Sequence, residues 1–243
     1  MSFRLLTKIT PICAVLTLGL TLSSTLAQAA DAIWSKNKVC RGYATETGSG
    51  YSGGALLLDP IPAGMNIAAL SPYQLNSGGI RASLAGAWLQ VTGPAGSINV
   101  YVTDLYPEGK SCALDLSPGA FKKISGIPPG WVDNIHWKVI PGPYEGPVLY
   151  RIKEGSTIYW AAIQVRRTRY PVVSMDYYEL GHWIRANKTD YNHFILNKTG
   201  PGNIKIRYRD IYGHQLSDYI PDAVLNKESS KVKIIPGRVQ FPL

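Results

Sequence analysis

The chain has 243 residues, with Gly 24 and Pro 17 making up about one residue in six and charged residues only 17%. Such a chain can bury a full core without metals or dense disulfides, and its turn formers exclude a long helical bundle in favour of β structure. Hydrophobic content of 45% excludes disorder, the formal net charge is +9, and Tyr 15 and Trp 6 outnumber Phe 4, so most rings carry a polar edge suited to a half-wet surface.

Arg4 and Lys8 precede an apolar run from Ile12 to Leu20, and Ala27-Gln28-Ala29 follows with the small-x-small form of a signal peptidase site. The run is short for a bilayer span. It predicts a signal peptide over 1–29 and a secreted protein that leaves the membrane after cleavage, a retained anchor being the alternative. Cys13 departs with the leader, and Cys40 and Cys112 remain in an oxidising compartment. They are predicted to bond, closing a ring worth about 4 kcal/mol in the chain-entropy model. The alternatives are two free thiols or half of a weak metal site.

Beyond the leader, the chain up to Pro147 has eight Lys/Arg and eight acids, whereas the remainder has fifteen and eight. The divide falls at Pro141-Gly142-Pro143-Tyr144-Glu145-Gly146-Pro147, which neither helix nor central strand tolerates. A neutral domain over 30–145 and a basic one over 146–243 are expected. The basic one suggests an anionic partner, and charge alone does not choose among a pectin-bearing wall, a cell surface and nucleic acid.

In the first domain, Gly54–Leu58, Trp88–Val91, Ile98–Thr103 and Ile135–Ile140 read as strands. Ser71-Pro72 and Ser117-Pro118 each read as a capping serine and first-turn proline opening a short helix. Asp115 sits between Leu114 and Leu116, so strand alternation turns it toward a cleft or solvent. In the second domain, 148–152, 159–165, 172–175, 183–186, 193–197, 204–208, 232–235 and 239–241 recur at the spacing of a small β-sandwich with no convincing helix. The run Ile204-Lys205-Ile206-Arg207-Tyr208-Arg209 places apolar residues on one face and cations on the other.

Familiar motifs fall away. The glycine-rich stretch Gly48 to Gly54 lacks the Gly-Lys-Ser/Thr ending of a phosphate loop, the four His residues have no ligand spacing, and no Gly-x-Ser-x-Gly elbow occurs. No metal or cofactor is expected. Two Asn-x-Thr patterns, at Asn187 and Asn197, match glycan acceptors and say nothing of occupancy. What remains suits polysaccharide, whose pyranose rings offer flat C–H faces rimmed by hydroxyls. Tyr159 and Trp160, followed by Tyr191, are candidates for an aromatic platform. Regular alternation would send Tyr159 and Trp160 to opposite faces, so exposing both requires a bulge.

The segments Gly42-Tyr43-Ala44-Thr45, Gly50-Tyr51-Ser52-Gly53-Gly54-Ala55, Thr103-Asp104-Leu105-Tyr106-Pro107-Glu108-Gly109 and Ala113-Leu114-Asp115-Leu116-Ser117-Pro118 together resemble the first domain of expansins. Tyr150-Arg151-Ile152-Lys153-Glu154-Gly155-Ser156, Ala161-Ala162-Ile163-Gln164-Val165-Arg166, Asp190-Tyr191-Asn192-His193-Phe194 and Val239-Gln240-Phe241-Pro242 extend the resemblance to the bacterial two-domain members over essentially the whole mature chain. The resemblance implies an all-β protein: a six-stranded double-psi β-barrel followed by an immunoglobulin-like β-sandwich that binds carbohydrate. It implies loosening of plant cell walls without hydrolysis, in a plant-associated bacterium that colonises or infects its host. By motif, Thr45, Asp104, Tyr106 and Asp115 line the barrel groove, with Asp115 most needed, while Lys153, Tyr159, Trp160 and Tyr191 form the cellulose-binding strip. Tyr159 departs from the pattern, where a second Trp is usual.

The implied partners are cellulose, xyloglucan or other β-glucans, with acidic wall polysaccharide on the basic domain, no nucleic acid, and a monomeric state. Hydrolysis with inversion needs an acid and a separate base, and Glu46, the acid beside Thr45, is turned from the groove by alternation. The competing reading is an endoglucanase or a lytic transglycosylase acting on cellulose or peptidoglycan through Asp115.

Overall fold

The computed structural model describes Met1, residues 33–226 and residues 228–243; apart from Met1, the leader expected over 1–29 lies outside these. Six strands close a barrel: β1 (Cys40–Glu46), β2 (Ile67–Leu70), β3 (Trp88–Gly93), β4 (Gly96–Leu105), β5 (Leu114–Leu116) and β6 (Trp131–Ile140), in the order β1-β5-β2-β4-β3-β6. The β1·β5 and β2·β4 pairs are parallel and the other four antiparallel. Closure leaves no free sheet edge. Alternation fills the barrel: Ala44, Leu89, Val91, Val100, Val102, Leu114, Leu116 and Trp137 are all buried.

Two short helices join the strands, α1 (Pro72–Leu75) and α2 (Pro118–Ser125), and α2 buries Ala120, Phe121 and Ile124. Both start where the Ser-Pro pairs predict, but neither serine caps with its side chain. The Ser71 hydroxyl donates to the Gln74 side chain, and Ser117 Oγ accepts the Ile67 N–H at 3.2 Å. Buried polar groups must be paired, and here that need outweighs capping.

The run Gly54–Leu58 is not a strand. Gly54–Leu56 forms a 3-10 turn, with Gly53, Gly54 and Leu57 at positive φ, a backbone region that no ladder accommodates. A Cβ on Gly54 would stand 2.5 Å from the Thr103 carbonyl oxygen and 2.6 Å from Asp104 Cγ. Glycine is required there to bring the turn against β4.

Past the Pro141–Pro147 stretch come β7 (Leu149–Ile152), β8 (Trp160–Arg166), β9 (Val172–Glu179), β10 (His182–Arg185), β11 (Asn187–Lys188), β12 (Phe194–Asn197), β13 (Ile204–Asp210), β14 (Gln215–Ile220) and β15 (Lys233–Pro236). They form a four-stranded sheet, β10-β9-β13-β14, and a five-stranded sheet, β11-β12-β8-β7-β15. Tyr150, Met175, Phe194, Ile206, Tyr208 and Phe241 are buried in this sandwich. Tyr150 donates to Asp218 Oδ2 at 2.8 Å, so its hydroxyl is satisfied within the core. Val239–Phe241, expected as a strand, joins no ladder: Val148 donates to the Val239 carbonyl at 2.9 Å, and Phe241 packs edge-on against Tyr208.

The 3-10 turn is also where barrel meets sandwich. From β8, Gln164 Nε2 donates to the Leu56 carbonyl at 2.8 Å, and the Arg166 guanidinium donates to the Leu57 and Asp59 carbonyls. From β7, Arg151 Nη2 lies 3.5 Å from Asp59 Oδ1. Gln164 and Arg166 are buried, so the turn's carbonyls are satisfied by the sandwich rather than by water.

Candidate functional site

Strand register assembles the barrel site. Thr45 on β1 pairs with Asp115 on β5, Asp115 with Ala69 on β2, and Ala69 with Asp104 on β4. Directly paired residues share a sheet face, so these four form one row across four adjacent strands. Leu114 and Leu116 point inward, which turns Asp115 to the outer face, where it is half-buried. The methyl group of Ala69 leaves room between two carboxylates.

Thr45 Oγ1 donates to Asp115 Oδ1 at 2.6 Å. Burial raises the Asp115 carboxyl above its ordinary range; the Thr45 and Thr47 hydroxyls oppose that rise, and the charges of Asp104 and Glu108 add to it. Asp104 Oδ1 accepts the N–H groups of Ala55 at 2.7 Å and Leu105 at 2.9 Å. Tyr106 follows β4, and burial raises its hydroxyl pKa, with Thr45 opposing and Tyr43 and Asp115 adding. The four residues expected in the groove therefore sit together. Glu46 pairs with Leu116, faces the other way and lines a separate hollow with Pro118, Lys122 and Ile127.

The disulfide holds this geometry. Cys40 and Cys112 are bonded, with Cα atoms 5.4 Å apart. The link ties the start of β1 to the turn just before β5, the two strands that carry Thr45 and Asp115.

On the sandwich, Tyr159 is 74% and Trp160 is 37% exposed. A strand starting at Tyr159 would have hidden one of them, but β8 begins only at Trp160. Tyr159 lies in a bend whose N–H is accepted by Thr157 Oγ1 at 3.2 Å, and no bulge is needed. Tyr191 is half-buried in the turn between β11 and β12, its ring centroid 5.2 Å from that of His193. Antiparallel pairing places Trp160 opposite Asn197 and Ile163 opposite Phe194. Tyr191 thus lies toward the barrel end of β8 and the Tyr159–Trp160 pair at the far end, on the order of 15 Å along the strand. Lys153 is half-buried and pairs with its neighbour Glu154.

His193 supports Tyr191 from below. Arg151 can only donate, so His193 Nε2 accepts from Nη1 at 3.2 Å and Nδ1–H donates to the Tyr191 carbonyl at 2.8 Å. Burial drives the His193 pKa down to about 4; the Tyr191 carbonyl opposes this, and the charges of Arg151, Arg166 and Lys153 add to it.

Sequence reasoning missed the role of His193, the Gly54 turn and the aromatic pair Tyr43–Trp131 on the barrel. The signal for Tyr43 was its place two residues before Thr45, on the same strand face. Among the described residues, no cluster of three or more His, Cys, Asp or Glu side chains is disposed to hold a metal, and no helix is long and apolar enough to cross a membrane.

No family model matches the chain. The chain is 54% identical over 201 residues to expansin-YoaJ of Bacillus subtilis (strain 168), spanning 83% of this chain and 86% of that protein. It is 25% identical over 211 residues to expansin-like protein 1 of Dictyostelium discoideum, spanning 82% and 72%. The crystal structure of a mutant Clavibacter michiganensis expansin in complex with cellohexaose matches with a TM-score of 0.71 at 24% identity, and the apo protein with 0.69 at 25%. Each match covers 85% of this chain and 100% of the other, so the barrel and sandwich form the fold of those expansins. With 54% identity over most of both sequences, this chain is a member of the expansin family.

Proposed function

We propose that this expansin is secreted and loosens plant cell walls without hydrolysis, its barrel over 30–145 holding one glucan chain while its sandwich over 146–243 anchors on cellulose. The reading rests on one observation above all: the in-register row Thr45, Asp115, Ala69 and Asp104 on the outer face of the barrel. Asp115, Asp104, Tyr106 and Thr45 exchange hydrogen bonds with sugar hydroxyls, displacing those between neighbouring polymers at about 1 kcal/mol each. Tyr159, Trp160 and Tyr191 stack on pyranose faces, and Lys153 contacts their hydroxyl rim. The cellohexaose bound by the Clavibacter protein supports a β-glucan as ligand.

The arrangement of the carboxylates supports a reading without hydrolysis. Asp115 has the raised pKa of a general acid, but Asp104 commits Oδ1 to two backbone N–H groups and Glu46 faces away. Neither is placed as the free, dedicated base that an inverting mechanism requires. That same raised carboxyl favours the lytic reading on cellulose or peptidoglycan, which predicts soluble sugar products.

Acidic wall polysaccharide has a candidate surface on β13, where Lys205, Arg207 and Arg209 alternate with buried apolar residues. Arg207 already pairs with Asp176 at 2.8 Å, so binding there rests on the remaining cations and weakens with salt. The deciding experiment measures wall creep beside sugar release. Asp115→Asn is expected to abolish creep with cellulose binding unchanged, and wild-type protein to release no oligosaccharide. Steady release of sugar that Asp115→Asn stops would establish the lytic reading instead.

A further inference from the structure

We infer that Trp131, stacked on Tyr43, forms an additional sugar-binding subsite that extends the barrel groove by one strand; the inference rests on the groove reading above. Trp131 opens β6 and pairs directly with Thr45. The row is therefore Trp131, Thr45, Asp115, Ala69, Asp104 over five adjacent strands, roughly 19 Å along the sheet at the usual strand spacing. A run of linked pyranose rings is needed to cover it.

The indole is built for contact. Its ring lies 3.7 Å from that of Tyr43, centroid to centroid, at an interplanar angle of 15°. One face is thus occupied by Tyr43, yet 49% of Trp131 remains exposed, leaving the opposite face to the solvent. Trp131 Nε1–H donates to Asp133 Oδ1 at 2.9 Å, which fixes the ring's rotation. Tyr43 is fixed in turn, its hydroxyl accepting the Lys110 N–H at 3.3 Å. A wide ring held from behind and open in front loses little freedom when a ligand covers it.

The backbone explains how the pair arises. Between β1 and β6 the register shifts at Gly42/Ala44, so Asp133 and Asn134 lie opposite Tyr43 alone, and Asn134 has φ 60°. This is a β-bulge, a device that re-aims side chains at a barrel rim. Beside the pair lies an open hollow of about 430 Å³ lined by Arg41, Gly42, Tyr43, Asp133, Asn134 and Ile135. A flat apolar face rimmed by a guanidinium, a carboxylate and an amide suits one glucose unit of a β-linked glucan. It suits neither a free anion, which Asp133 repels, nor a protein segment, which needs a broader apolar area.

The test silences the sandwich platform with Tyr159→Ala, Trp160→Ala and Tyr191→Ala together, then titrates cellohexaose while following indole N–H and backbone resonances by NMR. The Trp131 indole signal, assigned by its loss in Trp131→Phe, is expected to shift saturably. In the same background Trp131→Ala should raise Kd about tenfold, equal to about 1.4 kcal/mol, and Trp131→Phe should restore most of the affinity. If resonances around Asp115 move while the Trp131 indole does not, or if Trp131→Ala leaves Kd unchanged, the subsite is wrong and the groove stands. If neither region responds to the hexaose, both assignments fall.

Discussion

The two candidate polysaccharide faces of this protein are built by opposite means. The barrel groove is written in strand register: Thr45, Asp115 and Asp104 converge because β1, β5, β2 and β4 lie side by side, and each side chain has a hydrogen-bonding partner. The sandwich platform is written in irregular backbone, with Tyr159 in a bend, Trp160 at a strand end and Tyr191 in a turn. Strand interiors give fixed, half-buried polar groups, and strand ends give exposed rings. Damage to the barrel's frame should therefore impair loosening, and damage to single rings should impair attachment.

The largest effect expected in such a contrast comes from the disulfide. Replacing Cys40 and Cys112 by serine frees a long loop and should cost about 4 kcal/mol of stability. Creep should fall while the affinity of the remaining folded protein for cellulose holds, and equal loss of both would erase the distinction.

Next comes His193, which joins the two regions through Arg151. Its folded pKa of about 4 lies below the unfolded 6.5, so the unfolded chain takes up the proton first. Stability is complete above pH 6.5 and declines as pH falls toward 4, by roughly 3 kcal/mol in all. His193→Gln should flatten that slope in urea denaturation at pH 7 and 4.5; parallel slopes in the two proteins would refute the link.

Trp160→Ala should weaken cellulose binding by about 2 kcal/mol, as expected for roughly 100 Å² of lost apolar contact, with the unfolding midpoint little changed. The smallest effect is a gain. Tyr159→Trp enlarges an already exposed ring and should tighten binding by less than about 1 kcal/mol. Adsorption isotherms on crystalline cellulose read both, and a weaker Tyr159→Trp variant would show that the bend fits only the smaller ring.

What the sequence disclosed follows the same division. Asp115 was legible because Leu-Asp-Leu alternates within one strand, and β13 was legible for the same reason. The all-buried β2, Ile67–Leu70, shows no alternation, and β1, which carries Thr45, is interrupted by Gly42 and a register shift. Gly54–Leu58 read as a strand from its leucines, although it is a turn with positive φ that packs against Asp104 of β4, a contact that no local pattern announces. Trp131 stayed hidden because its partner Thr45 is distant in sequence and a bulge breaks the period of β6. Cross-strand neighbours and bulges are tertiary facts.

The turn at Gly54–Leu56 has a mechanical meaning. On one side it grips Asp104 through the Ala55 N–H, and on the other it is clasped by Gln164, four positions along the same strand from Trp160. On the proposed reading, force on that indole would reach the barrel carboxylate along one strand and through one tight corner. Sliding of a fibril beneath one half would then be passed to the other as through a crowbar rather than a leash.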